Sequence, residues 1–141
     1  MSTMNMISYI KNLLSNYLVL IKIGNFYEAY NDDAKILSYL FNYKLKTIDH
    51  IYSISGFPLV AIHKVKSLLE KKEISYILID KKHKYEEIEK MDYKRKNKYN
   101  LYKEEAMKYI DKIARIEKIR NTLLNDITKL SEIERILYEE G

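Results

Sequence analysis

The sequence predicts an α/β protein: a mixed β-sheet flanked by helices over residues 1–81, followed by a charged α-helical extension over residues 82–141. Three observations predict it. As far as Lys81, segments with the apolar period of a helix alternate with short β-branched runs. From His83 onward there is no proline and no glycine before Gly141, and charges are dense. Only 3 glycines and 1 proline occur in 141 residues, which makes the internal ones, Gly24, Gly56 and Pro58, informative about breaks in the chain.

The elements follow in order. Residues 4–14 place Met6, Ile7, Ile10, Leu13 and Leu14 at helical spacing. Residues 17–23 are rich in β-branched and apolar residues, unbroken from Tyr17 to Ile21, which predicts a buried central strand. Gly24 and Asn25 tolerate the backbone of a sharp turn. Asn31, Asp32 and Asp33 offer helix N-caps, and Ile36, Leu37, Leu40 and Phe41 continue as a short helix. Residues 43–48 and 51–55 predict a hairpin about a tight Asp49-His50 turn. Gly56-Phe57-Pro58 opens the next helix, with Pro58 near its first position and Val60, Ile62, Val65, Leu68 and Leu69 on its apolar face. Residues 74–79 form a further strand, completing the order α β α β β α β.

The extension is expected to be helical from His83, with a break around residues 92–97. Its register is Tyr99, Tyr102, Ala106, Tyr109, Ile113, Ile116, Arg120, Leu123, Ile127, Leu130, Glu134 and Leu137, apolar or aromatic at all but Arg120 and Glu134. Ile110, Ile119, Leu124 and Ile133 widen this face beyond a two-stranded seam, which suits packing on a domain or in a bundle.

Composition bounds the function. Apolar residues make up 47%, enough for one modest core, and the formal charge of +5 is compatible with a polyanionic partner without establishing one. The absence of cysteine excludes disulfides, thiolate metal sites and a cysteine nucleophile. The longest apolar run is too short for a bilayer and the first residues carry no signal-peptide pattern, so a soluble, cytoplasmic protein without a membrane partner is expected, nucleoid association being compatible. His50, His63 and His83 are dispersed, which suggests no metal site. No nucleophile motif or convergent acid/base pair is visible, so neither enzymatic activity nor a cofactor is expected.

The run Ile23-Gly24-Asn25-Phe26-Tyr27-Glu28-Ala29-Tyr30, followed by Asp32-Asp33-Ala34-Lys35, resembles the signature of the first domain of the MutS family, Gly-Asp-Phe-Tyr-Glu and then Asp-Asp-Ala-Lys. Ser38, Leu40 and Leu45 match family types, Gly56-Phe57-Pro58 resembles the family's Gly-Ile-Pro, and the helix and strand that follow run in register to Asp80. The resemblance covers roughly residues 3–81. It implies the fold of the MutS mismatch-recognition domain and a double-stranded DNA partner, mismatched or distorted. It further implies that Phe26 is a wedge entering the minor groove, that Glu28 contacts the same base, and that Tyr27, pointing the other way, is a packing residue. Lys22 and Lys46 sit at positions often basic in the family, where they would meet phosphates.

This sequence also departs from the family pattern. Asn25 replaces the usual Asp. Leu59-Val60 stands where Tyr-His is common. Glu73 replaces the glycine that usually ends the helix, so a different cap is expected there. The Asp49-His50 turn replaces a longer, Gly-rich connection. No Gly-x-x-x-x-Gly-Lys-Ser/Thr motif occurs, so no ATP-driven signalling is expected from this chain.

Two further features carry chemistry. Lys94, Arg95, Lys96 and Lys98 form the densest positive cluster, and interleaving with Tyr93, Tyr99 and Tyr102 suggests a phosphate grip with stacking faces. The wide apolar face of the extension offers an alternative function: a protein-interaction or self-association module that keeps the fold without mismatch recognition, as a partner or competitor of a DNA-repair complex. Exposure of Phe26 separates the two.

Overall fold

The computed structural model describes residues 2–126, 131 and 134–135, and forms two compact units, Met1–Met107 and Lys108–Gly141. In the first unit the order is α1 (Thr3–Leu13), β1 (Leu18–Ile23), β2 (Phe26–Tyr30), α2 (Asp32–Phe41), β3 (Lys46–Ile48), β4 (Tyr52–Pro58), a 3-10 turn (Leu59–Ala61), α3 (Ile62–Lys71), β5 (Tyr76–Asp80), β6 (Glu86–Met91), a second 3-10 turn (Lys94–Lys96) and the start of α4 (Tyr99–Asn125). The strands make one mixed six-stranded sheet, β3-β4-β2-β1-β5-β6, in which only β1 and β5 run parallel.

Strand alternation sorts the core into two layers. On one face Leu18, Leu20, Tyr27, Ala29, Phe57, Tyr76 and Leu78 pack with α2, α3, Tyr99 and Ala106. On the other, Val19, Ile21, Tyr30, Ile77 and Ile79 pack with Ile7 and Ile10 of α1. β1 contributes to both faces, which is why its buried residues Leu18 to Ile21 are all apolar.

Two strands escape the expected order. β2 is absent from it, although Phe26 to Tyr30 pair with both β1 and β4. β6, expected to be helix, pairs antiparallel with β5 and forms an edge of the sheet. Its sequence, Glu-Glu-Ile-Glu-Lys-Met, is mostly exposed, and a charged edge strand resists further pairing. The Gly56-Phe57-Pro58 segment is also corrected: it ends β4 instead of opening a helix, and α3 begins only after the 3-10 turn. Asn31 stands at the N-cap of α2 but makes no side-chain cap; its Oδ1 accepts from the Ser53 amide.

At Glu73 the cap keeps the geometry that the missing glycine would give. Glu73 adopts φ 56°, the Ile74 amide donates to the Leu69 carbonyl and the Glu73 amide to the Glu70 carbonyl. This is a Schellman motif with a side chain where glycine is favoured. Its left-handed residue carries a strain of roughly 1 kcal/mol, offset only by an exposed Lys98 pair at 3.5 Å. Glu73→Gly is therefore expected to raise stability by about 1 kcal/mol, read as the shift in urea midpoint; a decrease would show that the Lys98 pair outweighs the strain.

Asp33 joins four elements. Its carboxyl, 2% exposed, accepts from the Val19 amide (3.1 Å), from the Tyr99 hydroxyl (2.6 Å) and from Lys11 of α1 (3.1 Å). Burial pushes this carboxyl up from the ordinary range, while the Lys11 ammonium, the Tyr99 hydroxyl and the Val19 amide pull it back. The Val19 amide needs this partner because the β1–β2 ladder spans only Ile21 to Ile23.

Burial, with neighbouring carboxylates, holds the phenols of Tyr30, Tyr76 and Tyr99 far above their ordinary value. Their folded values lie above the unfolded one, so their contribution to stability is intact below about pH 10 and is lost as pH rises beyond it. Melting temperature is expected to fall steeply between about pH 10 and 11, and less so in Tyr76→Phe; an equal fall in both proteins would contradict this assignment.

In the second unit the described residues of α4 expose Ile116, Ile119, Leu123 and Leu124. Ile127, Leu130, Ile133 and Leu137 of the expected register lie outside the described residues. No helix among the described residues is long and apolar enough to cross a membrane.

Candidate nucleic-acid interface

The hairpin that presents Phe26 is built by Gly24 and Asn25. Ile23 and Phe26 are register partners, and Gly24 has φ 59° at the first central position of the turn. A two-residue hairpin loop of this kind favours glycine there, because positive φ matches the strand twist. The turn is pinned from the far side, where the Leu59 amide donates to the Asn25 carbonyl at 3.0 Å.

Alternation along β2 then separates the signature. Tyr27 is 6% exposed and stacks on Phe57 at 5.7 Å, with Tyr43 and Phe41 continuing the row. Phe26 and Glu28 point to the opposite face. Phe26 is 51% exposed, unusual for a phenylalanine in a sheet.

On this face α1 covers Val19, Ile21, Ile77 and Ile79, but towards β3 the sheet stays open. There Phe26, Glu28, Lys44, Lys46, Ile48, Ile54 and Gly56 line a cleft of about 510 Å³. Gly56 is the register partner of Glu28 and forms the floor: a Cβ at Gly56 would come within 2.8 Å of the Tyr27 carbonyl oxygen and 3.3 Å of Glu28 Cγ. Tyr30, two residues along the same face, donates its hydroxyl to Glu28 Oε2 at 2.6 Å.

Of the residues singled out from sequence, Phe26, Glu28 and Lys46 are brought together here. Lys44 was missed; its signal is the Lys44-Leu45-Lys46 alternation, which puts both cations on one face if the strand is extended backward. Lys22 is half-buried and pairs in register with Tyr27 and Asp80, on the face away from Phe26.

The basic cluster stands elsewhere. The Tyr93 amide donates to Ser75 Oγ and Asn97 Nδ2 to the Asn16 carbonyl, beside the beginnings of β5 and β1. Phe26 lies past the other end of six-residue β1, roughly 20 Å away at the rise of a strand. Lys94, Arg95 and Lys96 are exposed, while Lys98 faces Glu73. Of the expected stacking faces Tyr99 is corrected, being 1% exposed; Tyr93 and Tyr102 are half-buried, with Lys72 over the Tyr102 ring. Tyr99 is a core residue because its hydroxyl is committed to Asp33.

Among the described residues no group of His, Asp and Glu is arranged to hold a metal ion. A comparison with curated proteins gives no match. The family model for MutS domain I matches residues 2–91, ending with β6 and so reaching beyond the Lys81 limit of the motif resemblance. The match spans more than half of the chain and takes in α1 and all six strands: the chain belongs to the MutS domain I family.

Proposed function

We propose that this chain is a non-catalytic DNA-binding module that reads mismatched or distorted duplex, with Phe26 as the wedge and Glu28 as the base-contacting acceptor. The observation that carries this is the 51% exposure of Phe26 at the end of a pinned hairpin, beside Glu28, in a member of the MutS domain I family. An apolar wedge costs a few kcal/mol of unstacking per base step. A mispaired site has already lost part of that stacking, so the ring enters there most easily. A carboxylate near DNA is repelled by phosphates and gains only from a specific base contact. Lys44 and Lys46 line the same cleft and counter that repulsion. Lys22, Lys94, Arg95, Lys96 and Lys98 stand apart and act through the longer-range field.

Fluorescence anisotropy with one labelled duplex, matched or carrying a single unpaired base, tests this. Roughly tenfold tighter binding to the distorted duplex is expected, about 1.4 kcal/mol and within the worth of one base–aromatic stack. Equal affinity for both would remove the recognition claim.

A second reading is favoured by the exposed Ile116, Ile119, Leu123 and Leu124 of α4: a self-association or protein-interaction module. Light scattering of the full chain separates it, a stable dimer supporting self-association and a monomer at high concentration counting against it.

A further inference from the structure

Glu28 does not stand alone in the cleft. Tyr30 is 7% exposed, its ring packed with Ile21 and Ile79 in the α1-side core, and its hydroxyl reaches Glu28 Oε2 at 2.6 Å. This is the only hydrogen bond that Tyr30 and Glu28 side chains make among the described residues. The anchor is rigid because the ring is buried, and the anchored group, flanked by Ile21 on β1, has no side chain beside it on the β4 side, where its register partner is Gly56. One carboxylate oxygen is thereby committed, leaving Oε1 free. An ionised carboxylate only accepts hydrogen bonds.

Resting on the wedge reading of Phe26, we infer that Tyr30 is a positioning residue that fixes Glu28 as a one-sided acceptor. The chain then prefers distorted sites whose unstacked base offers a ring N–H donor, thymine or guanine, over adenine or cytosine. Thymine N3 and guanine N1 carry a hydrogen that a carboxylate oxygen accepts. Adenine N1 and cytosine N3 present lone pairs, which the same oxygen repels, and the amino groups of these two bases lie toward the major groove, away from a wedge in the minor groove. Without the Tyr30 hydroxyl, no hydrogen bond among the described residues holds the Glu28 carboxylate, which can swing over Gly56 toward Lys44 and Lys46 in the same cleft.

Four duplexes of one sequence context, each with a single unpaired thymine, guanine, adenine or cytosine, are titrated with wild type, Tyr30→Phe and Glu28→Gln, alongside the matched duplex. Wild type is expected to favour thymine and guanine about tenfold, the worth of one hydrogen bond to a charged group. In Tyr30→Phe that ratio falls to within about twofold, while every unpaired-base duplex still binds better than the matched one. Glu28→Gln, which can donate as well as accept, loses the ratio too. A purely structural role for Tyr30 would weaken all duplexes alike and keep the ratio, and that result would overturn the inference. So would a wild type indifferent to base identity. No preference of wild type for any unpaired-base duplex over the matched one would overturn the wedge reading, and this inference with it.

Discussion

Replacing Phe26 with alanine is expected to lower affinity for a duplex carrying an unpaired base by about tenfold or more, while affinity for the matched duplex changes by less than about twofold. Stacking of a base on an aromatic ring is worth roughly 1–3 kcal/mol, and only a base that leaves its stack can collect it. The substitution is a clean one. Phe26 is 51% exposed at the first position of β2, and the anchors of that strand are Tyr27, Ala29 and Tyr30, all buried. Unfolding free energy should therefore change by less than about 1 kcal/mol, as for most exposed positions. Titrations of both duplexes with both proteins check it. A Phe26→Ala protein that still discriminates would move recognition to another part of the surface.

The largest effect on stability is expected at Asp33. Asp33→Ala removes the one acceptor shared by Val19, Tyr99 and Lys11, leaving the amide and the phenol without their acceptor and the ammonium without its counter-charge, held by the Tyr17 carbonyl and the Tyr99 hydroxyl. Breaking a buried ion pair from one side costs about 3–5 kcal/mol. The lower end applies, since Lys11 keeps 25% exposure and reaches water. Against a typical total of roughly 5–15 kcal/mol this consumes much of the margin. Urea unfolding measures it; a loss below about 1 kcal/mol would mean that the network is not a structural clamp. Tyr99→Phe should cost less, about 1–2 kcal/mol, because the other two donors still satisfy the carboxylate.

This network also explains part of the signature read from the sequence. In Asp32-Asp33-Ala34-Lys35, Asp33 and Ala34 are buried and hold α2 against β1, so the motif that marked the family is there largely for folding. Phe26 and Glu28 could be singled out only through the family resemblance, since a Phe-x-Glu triplet has no periodicity of its own. Their exposure followed from the Gly24-Asn25 turn and the alternation around Tyr27, both legible once the segment is taken as a strand.

What was not legible has physical causes. β6 buries almost nothing, so its charged sequence carries no apolar period to mark it as a strand. The end of β4 contains Gly56 and Pro58, residues that usually interrupt strands. Here glycine makes room for Glu28, and proline stands at the last position of its strand. The missing glycine points to an altered cap at Glu73, whereas the chain keeps the turn and carries the strain. The contact of Tyr30 with Glu28 is made by side chains across one strand residue, which composition does not reveal.

Photocrosslinking tests most directly which side chain meets the base. A duplex bearing one unpaired 5-iodouracil is irradiated in complex with the full chain, and the adduct is located by mass spectrometry. The predicted adduct is on Phe26, with a yield well above that of the same base analogue in a matched duplex. Adducts confined to the 93–102 segment or to α4, or equal yields from both duplexes, would show that this ring does not enter the base stack.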